Sequence, residues 1–226
     1  MKFDKRAFLE FIIENGVVGF FEQPIKLKSG RISNWYVNWR TVTEDVFLSD
    51  KLADYIIAFA KTTGLEADTF FGVPEGATKI GILTQYKHAK QKKDFERGRY
   101  ALAMGRGKAK EHGEPKDRYF LGMPKGRTIV IEDVTTTGGS LIETIQKLRE
   151  ANVDVAAAIG LTNRMERRDD GKTVEGALGE LGVKYYAMSE ATELLPLAAK
   201  KKNPPQKIKD SVMEYFKQYG IREVVL

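Results

Sequence analysis

The sequence contains no cysteine. That excludes disulfides, thiolate nucleophiles and sulfur ligation of a metal, and it fits a reducing compartment. No apolar run approaches the roughly 20 residues of a membrane-spanning helix. The N-terminal stretch MKFDKRAFLEF carries acids and no long apolar core, unlike a signal peptide. A soluble, cytoplasmic protein with no membrane partner is expected. Neither of the common glycine-rich nucleotide motifs, GxxxxGKS/T or GxGxxG, occurs anywhere in the chain. No internal repeat or low-complexity linker divides it. The 226 residues are therefore read as one domain with a sizeable core.

Basic residues outnumber acidic ones, 37 to 31, for a net charge of +6. The tracts Lys87–Lys93 (KHAKQKK) and Lys200–Lys202 lack the interleaved aromatics of a single-strand nucleic-acid platform. A solvated basic surface is preferred to nucleic-acid binding. An anionic small substrate is a further reason for basic residues.

The most informative stretch is Thr128 to Asn152, TIVIEDVTTTGGSLIETIQKLREAN. Ile129, Val130 and Ile131 are β-branched and suit a strand buried on both faces. The strand ends in two acids, Glu132 and Asp133. A turn of hydroxyls and glycines follows, Thr135 to Ser140. Leu141, Ile142, Ile145 and Leu148 then recur at helical spacing. A helix start offers free N–H groups and a positive dipole end to a phosphate. Adjacent carboxylates can accept from sugar hydroxyls, so the stretch is read as a sugar-phosphate site. Taken alone, the two acids could equally be a solvated acid and a helix cap.

Around it, strands alternate with helices. A first helix carries Phe3, Ala7, Phe8, Phe11 and Ile12 and stops at Asn15-Gly16. Short strands are expected at Val17–Phe21 and Pro24–Lys28, a turn at Lys28–Arg31, and an aromatic strand at Ser33–Arg40. Ser49 is read as the cap of a helix through Lys61, which Gly64 ends. Strands are expected at Asp68–Val73, Tyr100–Met104, Val153–Leu161 and Val183–Met188. Helices are expected at Lys79–His88, Thr173–Leu181, Glu190–Ala199 and from Pro204-Pro205 to Tyr219. Gly105–Gly122 has no periodicity and reads as a mobile loop, and Asn163–Gly171 as a charged loop. The pattern implies an α/β fold, a central parallel sheet flanked by helices. Residues 1–45 form a helix and a small hood, and 46–226 the α/β core.

Ile129 to Ser140 (IVIEDVTTTGGS) resembles the phosphoribosyl-pyrophosphate signature of the type I phosphoribosyltransferases. Three further segments resemble the orotate phosphoribosyltransferase family. These are LKSGR (27–31) with the aromatic strand after it, RGKAKEHGE (106–114), and NRMER (163–167). With Gly72–Thr78 as the pyrophosphate-side loop, the resemblance spans nearly the whole chain.

The resemblance implies transfer of phosphoribosyl from 5-phosphoribosyl 1-diphosphate (PRPP) to orotate, giving orotidine 5′-monophosphate and diphosphate on the route to UMP. It implies Mg²⁺ as cofactor, with no firm protein ligand, and a homodimer whose loop reaches the neighbour's site. Glu132 and Asp133 would contact the ribose hydroxyls, and Thr135, Thr136, Thr137, Gly138, Gly139 and Ser140 the 5′-phosphate. Arg106 and Lys108 would bind the diphosphate, with Lys28, Lys110 and His112 as catalytic residues beside Asp133. Orotate would meet Arg164, Lys28, Thr136 and one hood aromatic, Tyr36 or Trp35. Arg164 could alternatively pair with Glu166 or Asp169. Two departures stand out: Gly107 sits where the family carries a second basic residue, and Glu75 and Gly76 bring an acid and no lysine to the pyrophosphate loop. The rival readings are a phosphoribosyltransferase for a purine base, or a non-catalytic nucleotide- or RNA-binding regulator of the same fold.

Overall fold

The computed structural model describes residues 2–27, 29–108 and 118–226. Asp4 caps α1 (Lys5–Glu14), its carboxylate accepting from the Ala7 N–H at 3.0 Å. A hairpin follows, β1 (Val18–Lys26) antiparallel to β2 (Ile32–Val37). The two strands expected at Val17–Phe21 and Pro24–Lys28 are thus one. Its register shifts between Phe20 and Ile25, where Pro24 has no N–H to give the ladder. β2 also ends earlier than expected. Arg40 opens the single turn α2 (Arg40–Thr43), and the Asn38 side chain accepts from its N–H at 3.2 Å.

The cap of α3 (Val46–Thr62) is Asp45, which accepts from the Leu48 N–H at 2.8 Å, and not Ser49. Ser49 lies inside the helix and donates to the Val42 carbonyl. Periodicity missed the first turn because Val46 and Phe47 are exposed, so no buried stripe marks it.

The chain continues through β3 (Thr69–Gly72), α4 (Thr78–Lys90), β4 (Met104–Gly105), β5 (Phe120–Leu121), β6 (Thr128–Thr135) and α5 (Gly139–Glu150). It closes with β7 (Val155–Asn163), α6 (Val174–Glu180), β8 (Lys184–Ala187), α7 (Ala191–Lys202) and α8 (Gln206–Tyr219). The strand expected at Tyr100–Met104 shrinks to the two residues of β4, paired with β5. The Ala101 carbonyl is taken by the Gln85 side-chain amide at 2.8 Å instead of a strand neighbour.

β3, β6, β7 and β8 form the central sheet in that order, with every pair parallel. Alternation along β6 serves both faces: Ile129 and Ile131 join one apolar cluster, Val130 the other. The first cluster contains Phe8 and Ile12 of α1, Leu52 and Ile56 of α3, and Val212 and Phe216 of α8. The second holds Leu141, Ile145 and Leu148 of α5 and Leu178 of α6. The N-terminal helix is therefore built into the main core, which the β1–β2 hairpin also joins through Val18, Trp35 and Val37.

The Lys87–Lys93 tract is tied down at its start, while Lys90, Lys92 and Lys93 are exposed. Lys87 pairs with Asp50 and Asp54 at 2.8 and 2.7 Å. His88 is buried, its Nε2 2.9 Å from the Ala67 carbonyl, and burial holds its pKa down. Among the described residues, no helix is long and apolar enough to cross a membrane.

Candidate active site

A cleft of about 610 Å³ opens beyond the carboxyl end of β6. In a parallel sheet this is where helix N-termini and strand ends converge. Glu132 and Asp133 both line it, as do Thr136, Thr137, Gly138, Gly139 and Ser140. α5 starts at Gly139, so its first N–H groups have no intrahelical acceptor and its positive end faces the cleft. Burial pushes the Asp133 carboxyl above its ordinary pKa. The N–H groups of Val134 and of Asp133 itself, and the charge of Arg40, act in the opposite direction. A carboxylate in this setting gains from any hydroxyl donor placed before it. Thr135 departs from expectation: its side chain is fully buried and bonded to the Tyr185 hydroxyl beneath the cleft. Strand alternation turns it into the core, so that residues 136–140 of this stretch line the cleft and Thr135 does not.

The opposite wall is the loop after β3. A side-chain carbon on Gly76 would sit 2.3 Å from an Asp133 oxygen, so the absence of a lysine there leaves room for this carboxylate. A side-chain carbon on Gly107 would sit 2.1 Å from Glu75 Oε1. The two sequence departures are thus one contact: Glu75 fills the space that a side chain at position 107 would need. A second cavity of about 380 Å³ shares this wall and adds Arg106, Tyr119 and Lys147. Lys108 is exposed and lines neither cavity. Lys28, Lys110 and His112 lie outside the described residues. Arg40, which sequence reasoning did not single out, lines both cavities and acts on Asp133. Its one signal was an arginine closing the aromatic strand that leads out of the hood.

A further part of the cleft wall is built from the hairpin and from the segment after β7. The expectation of a charged surface loop at Asn163–Gly171 is corrected for its first residues. Asn163, Arg164 and Glu166 are all buried, Arg164 at 1% and Glu166 at 0% exposure. Arg164 Nε donates to Glu166 Oε1 at 2.6 Å, and Nη2 reaches toward Ser33 Oγ at 3.5 Å. Its guanidinium carbon stands 3.7 Å from the centre of the Trp35 ring. Nη1 is buried with no hydrogen-bond partner among the described residues, and Arg164 lines the cleft. The pairing with Glu166 is therefore real, but internal, and it leaves one end of the fork spare.

The other carboxylate oxygen of Glu166 accepts from Arg31 Nη1 at 2.8 Å. Arg168 donates to the Thr137 carbonyl, tying the same segment to the turn before α5. Trp35 is fully buried between Arg164 and Phe216, whereas Tyr36 lines the cleft. Burial pushes the hydroxyl of Tyr215, beside Arg164, above its ordinary pKa.

The cleft thus gathers a helix N-terminus, a carboxylate pair and a buried, incompletely partnered arginine in its lining. That suits a phosphorylated sugar together with an anionic planar group. Among the described residues there is no cluster of three histidines or acids able to hold a metal. Glu132 and Asp133 are the hard oxygen donors Mg²⁺ takes, and Mg²⁺ usually binds through one or two carboxylates plus substrate phosphates and water. The residues fit an ion of that kind.

No family model matches the chain. The chain is similar to the orotate phosphoribosyltransferase of Clostridium acetobutylicum, with 31% identity covering 96% of this chain and 98% of that protein. Among solved structures, orotate phosphoribosyltransferase from Francisella tularensis aligns with a TM-score of 0.68 at 22% identity, over 95% of this chain and 99% of that one. UMP synthase from Leishmania donovani gives a TM-score of 0.71 at 22% identity, over 94% of this chain and 42% of that one. At such identity the two structures establish the shared fold.

Proposed function

The chain belongs to the orotate phosphoribosyltransferase family, and we propose that it transfers the 5-phosphoribosyl group of PRPP to N1 of orotate. The C1–O bond to diphosphate breaks with its electron pair, the C1–N1 bond forms, and orotate gives up its N1 proton. The products are orotidine 5′-monophosphate, a pyrimidine nucleotide, and diphosphate. Pyrimidine biosynthesis is the setting of such a pentosyltransferase.

The observation that carries the choice of base is the charge at the base end. Arg164 and Arg31 share the single buried carboxylate of Glu166, which leaves a positive charge beside the spare Arg164 Nη1. An uncharged base would leave that charge unanswered. The carboxylate of orotate completes the balance and accepts from the free donor.

In this reading Glu132 and Asp133 accept from the ribose hydroxyls, and residues 136–140 with the start of α5 hold the 5′-phosphate. Tyr36 packs along the base, with Thr136 beside it. Arg40 and Arg106 face the diphosphate, joined by Lys28, Lys108, Lys110 and His112. These cations stabilise charge as it builds on the leaving group. Mg²⁺ carried on the diphosphate would supply further neutralisation of that charge. A cytoplasmic homodimer with shared sites, in which the 105–122 segment serves the neighbour's cleft, belongs to the same reading.

The test is diphosphate release on mixing protein, PRPP and a base. Release is expected with orotate and Mg²⁺, and is expected to stop when the metal is chelated and to return on adding Mg²⁺. If adenine or hypoxanthine supports release while orotate does not, the substrate reading is wrong. A second expectation concerns Arg40. Replacing it by alanine removes a charge-assisted contact of about 1.5–3 kcal/mol, so KM for PRPP should rise by about tenfold or more. KM for orotate should stay within about threefold. Equal rises in both would remove Arg40 from the diphosphate subsite.

A further inference from the structure

We propose that Arg31 is a specificity residue that acts through Glu166: by sharing the Glu166 carboxylate it keeps Arg164 charged toward the substrate's carboxylate. The inference rests on the reading that Arg164 meets the orotate carboxylate.

The geometry separates two jobs that one ion pair would otherwise confuse. Orientation of Arg164 comes from three sides: Nε on Glu166 at 2.6 Å, the guanidinium face on Trp35 at 3.7 Å, and Nη2 toward Ser33. This holds Nη1 in place before any ligand arrives. Taken alone, however, Glu166 would neutralise the very charge it orients. Both groups are buried, at 1% and 0% side-chain exposure, so water screens little of their attraction. Arg31, whose side chain is 9% exposed, takes the other Glu166 oxygen at 2.8 Å and brings a second positive charge. The buried triad then sums to one net positive charge. Arg31 also reaches Asp169 at 3.2 Å, but that carboxylate is 94% exposed and its charge is largely screened.

The source of Arg31 matters as well. It closes the hairpin turn: the Leu27 N–H donates to its carbonyl at 2.8 Å. Its guanidinium also donates to the Arg167 carbonyl at 2.6 Å and lies 4.8 Å from the Tyr219 ring centre. A single side chain therefore anchors the hairpin and sets the charge beside Arg164. A purely mechanical anchor and a charge-setting residue respond differently to substitution, which makes the proposal testable.

Steady-state KM values for orotate and PRPP, and for uracil as the base without a carboxylate, would be measured in the full-length protein. Thermal melts would check folding. Arg31→Gln leaves Arg164 fully countered by Glu166, and KM for orotate is expected to rise about tenfold with PRPP and uracil within about threefold. Arg31→Lys keeps the charge and is expected to stay within about threefold of wild type for orotate. The double variant Arg31→Gln with Glu166→Gln restores one net positive charge, and the new amide oxygen can still accept from Arg164 Nε. Orotate KM should therefore recover relative to Arg31→Gln alone.

A double variant worse than the single, parallel rises for orotate and uracil, or an unchanged orotate KM in folded Arg31→Gln would each overturn the proposal. Should Arg31→Gln fail to fold, Glu166→Gln alone carries the opposite sign: a raised orotate KM in that variant would overturn it too. Failure of the underlying reading looks different, because wild-type protein would then not prefer orotate to uracil at all.

Discussion

Arg164→Ala is expected to lower kcat/KM for orotate by about 10²–10³. Breaking a buried, hydrogen-bonded charge pair costs about 3–5 kcal/mol, and the lost contact to the substrate carboxylate falls in the same range. KM for PRPP should move far less, because the proposed reading puts Arg164 against the base and residues 136–140 against the 5′-phosphate. Activity with uracil should fall much less than with orotate, so the variant loses discrimination more than turnover. The melting temperature should drop as well: Trp35 loses the guanidinium stacked on it at 3.7 Å. Glu166 keeps Arg31 as a partner, so the protein should still fold. Competition of the variant with a panel of bases measures this directly. An orotate preference that survives in folded Arg164→Ala would place the carboxylate elsewhere in the cleft.

The second large effect is expected from Asp133→Asn, where activity and stability should move in opposite directions. The amide accepts more weakly than a carboxylate, and kcat/KM for PRPP should fall on the order of 10² for the loss of the charged ribose hydrogen bonds that the proposed reading gives Asp133. Stability follows from linkage. Burial raises the folded-state pKa of Asp133 above its ordinary value. The folded state therefore holds that proton more tightly than the unfolded chain does. A group of this kind contributes stability that is fully present below the unfolded value, near 3.9 for aspartate. The contribution is lost as pH rises through the folded pKa. At pH 7 the ionised carboxylate is thus a cost, and Asp133→Asn should melt at or above the wild-type temperature. The gap should close as the pH falls toward about 4. A variant that melts well below wild type at pH 7 would make Asp133 a structural capping group, with its effect on activity secondary.

Much of the site was legible because its chemistry is local. Ile129–Ser140 places strand, acids, turn and helix start in twelve consecutive positions, and a parallel sheet turns that order into a cleft without help from distant residues. The exception is Thr135. Its hydroxyl reads like its two neighbours in sequence, yet strand alternation sends it into the core against Tyr185, 50 residues away. Trp35 and Tyr36 could not be told apart for a similar reason. Adjacent strand residues face opposite sides, and only the position of Phe216 shows which side is interior. Arg40 was overlooked because a single arginine after a strand carries no motif. Its importance comes from two walls meeting at Gly76 and Asp133. Glu75 and Gly107 looked like separate anomalies, 32 positions apart in number, and become one contact only when the β4–β5 stem lies against the loop after β3.

The sequence by itself determined the alternation of strands and helices, the position of the acids and the phosphate turn, and the family to which these belong. The first two follow from periodicity and from short-range order, which a linear chain displays openly; the family follows from the resemblance of Ile129–Ser140 and three further segments to its motifs. The tertiary structure alone decided the electrostatics. In sequence Arg31 read as part of a hood turn, and Arg164 as either a substrate contact or a surface partner of Glu166 or Asp169. The fold removes Arg31, Arg164 and Glu166 from water, with 135 positions separating Arg31 from Glu166, and there a carboxylate shared between two cations leaves a definite excess charge. Solvent screening hides such sums in an extended chain, and burial is what gives them consequence.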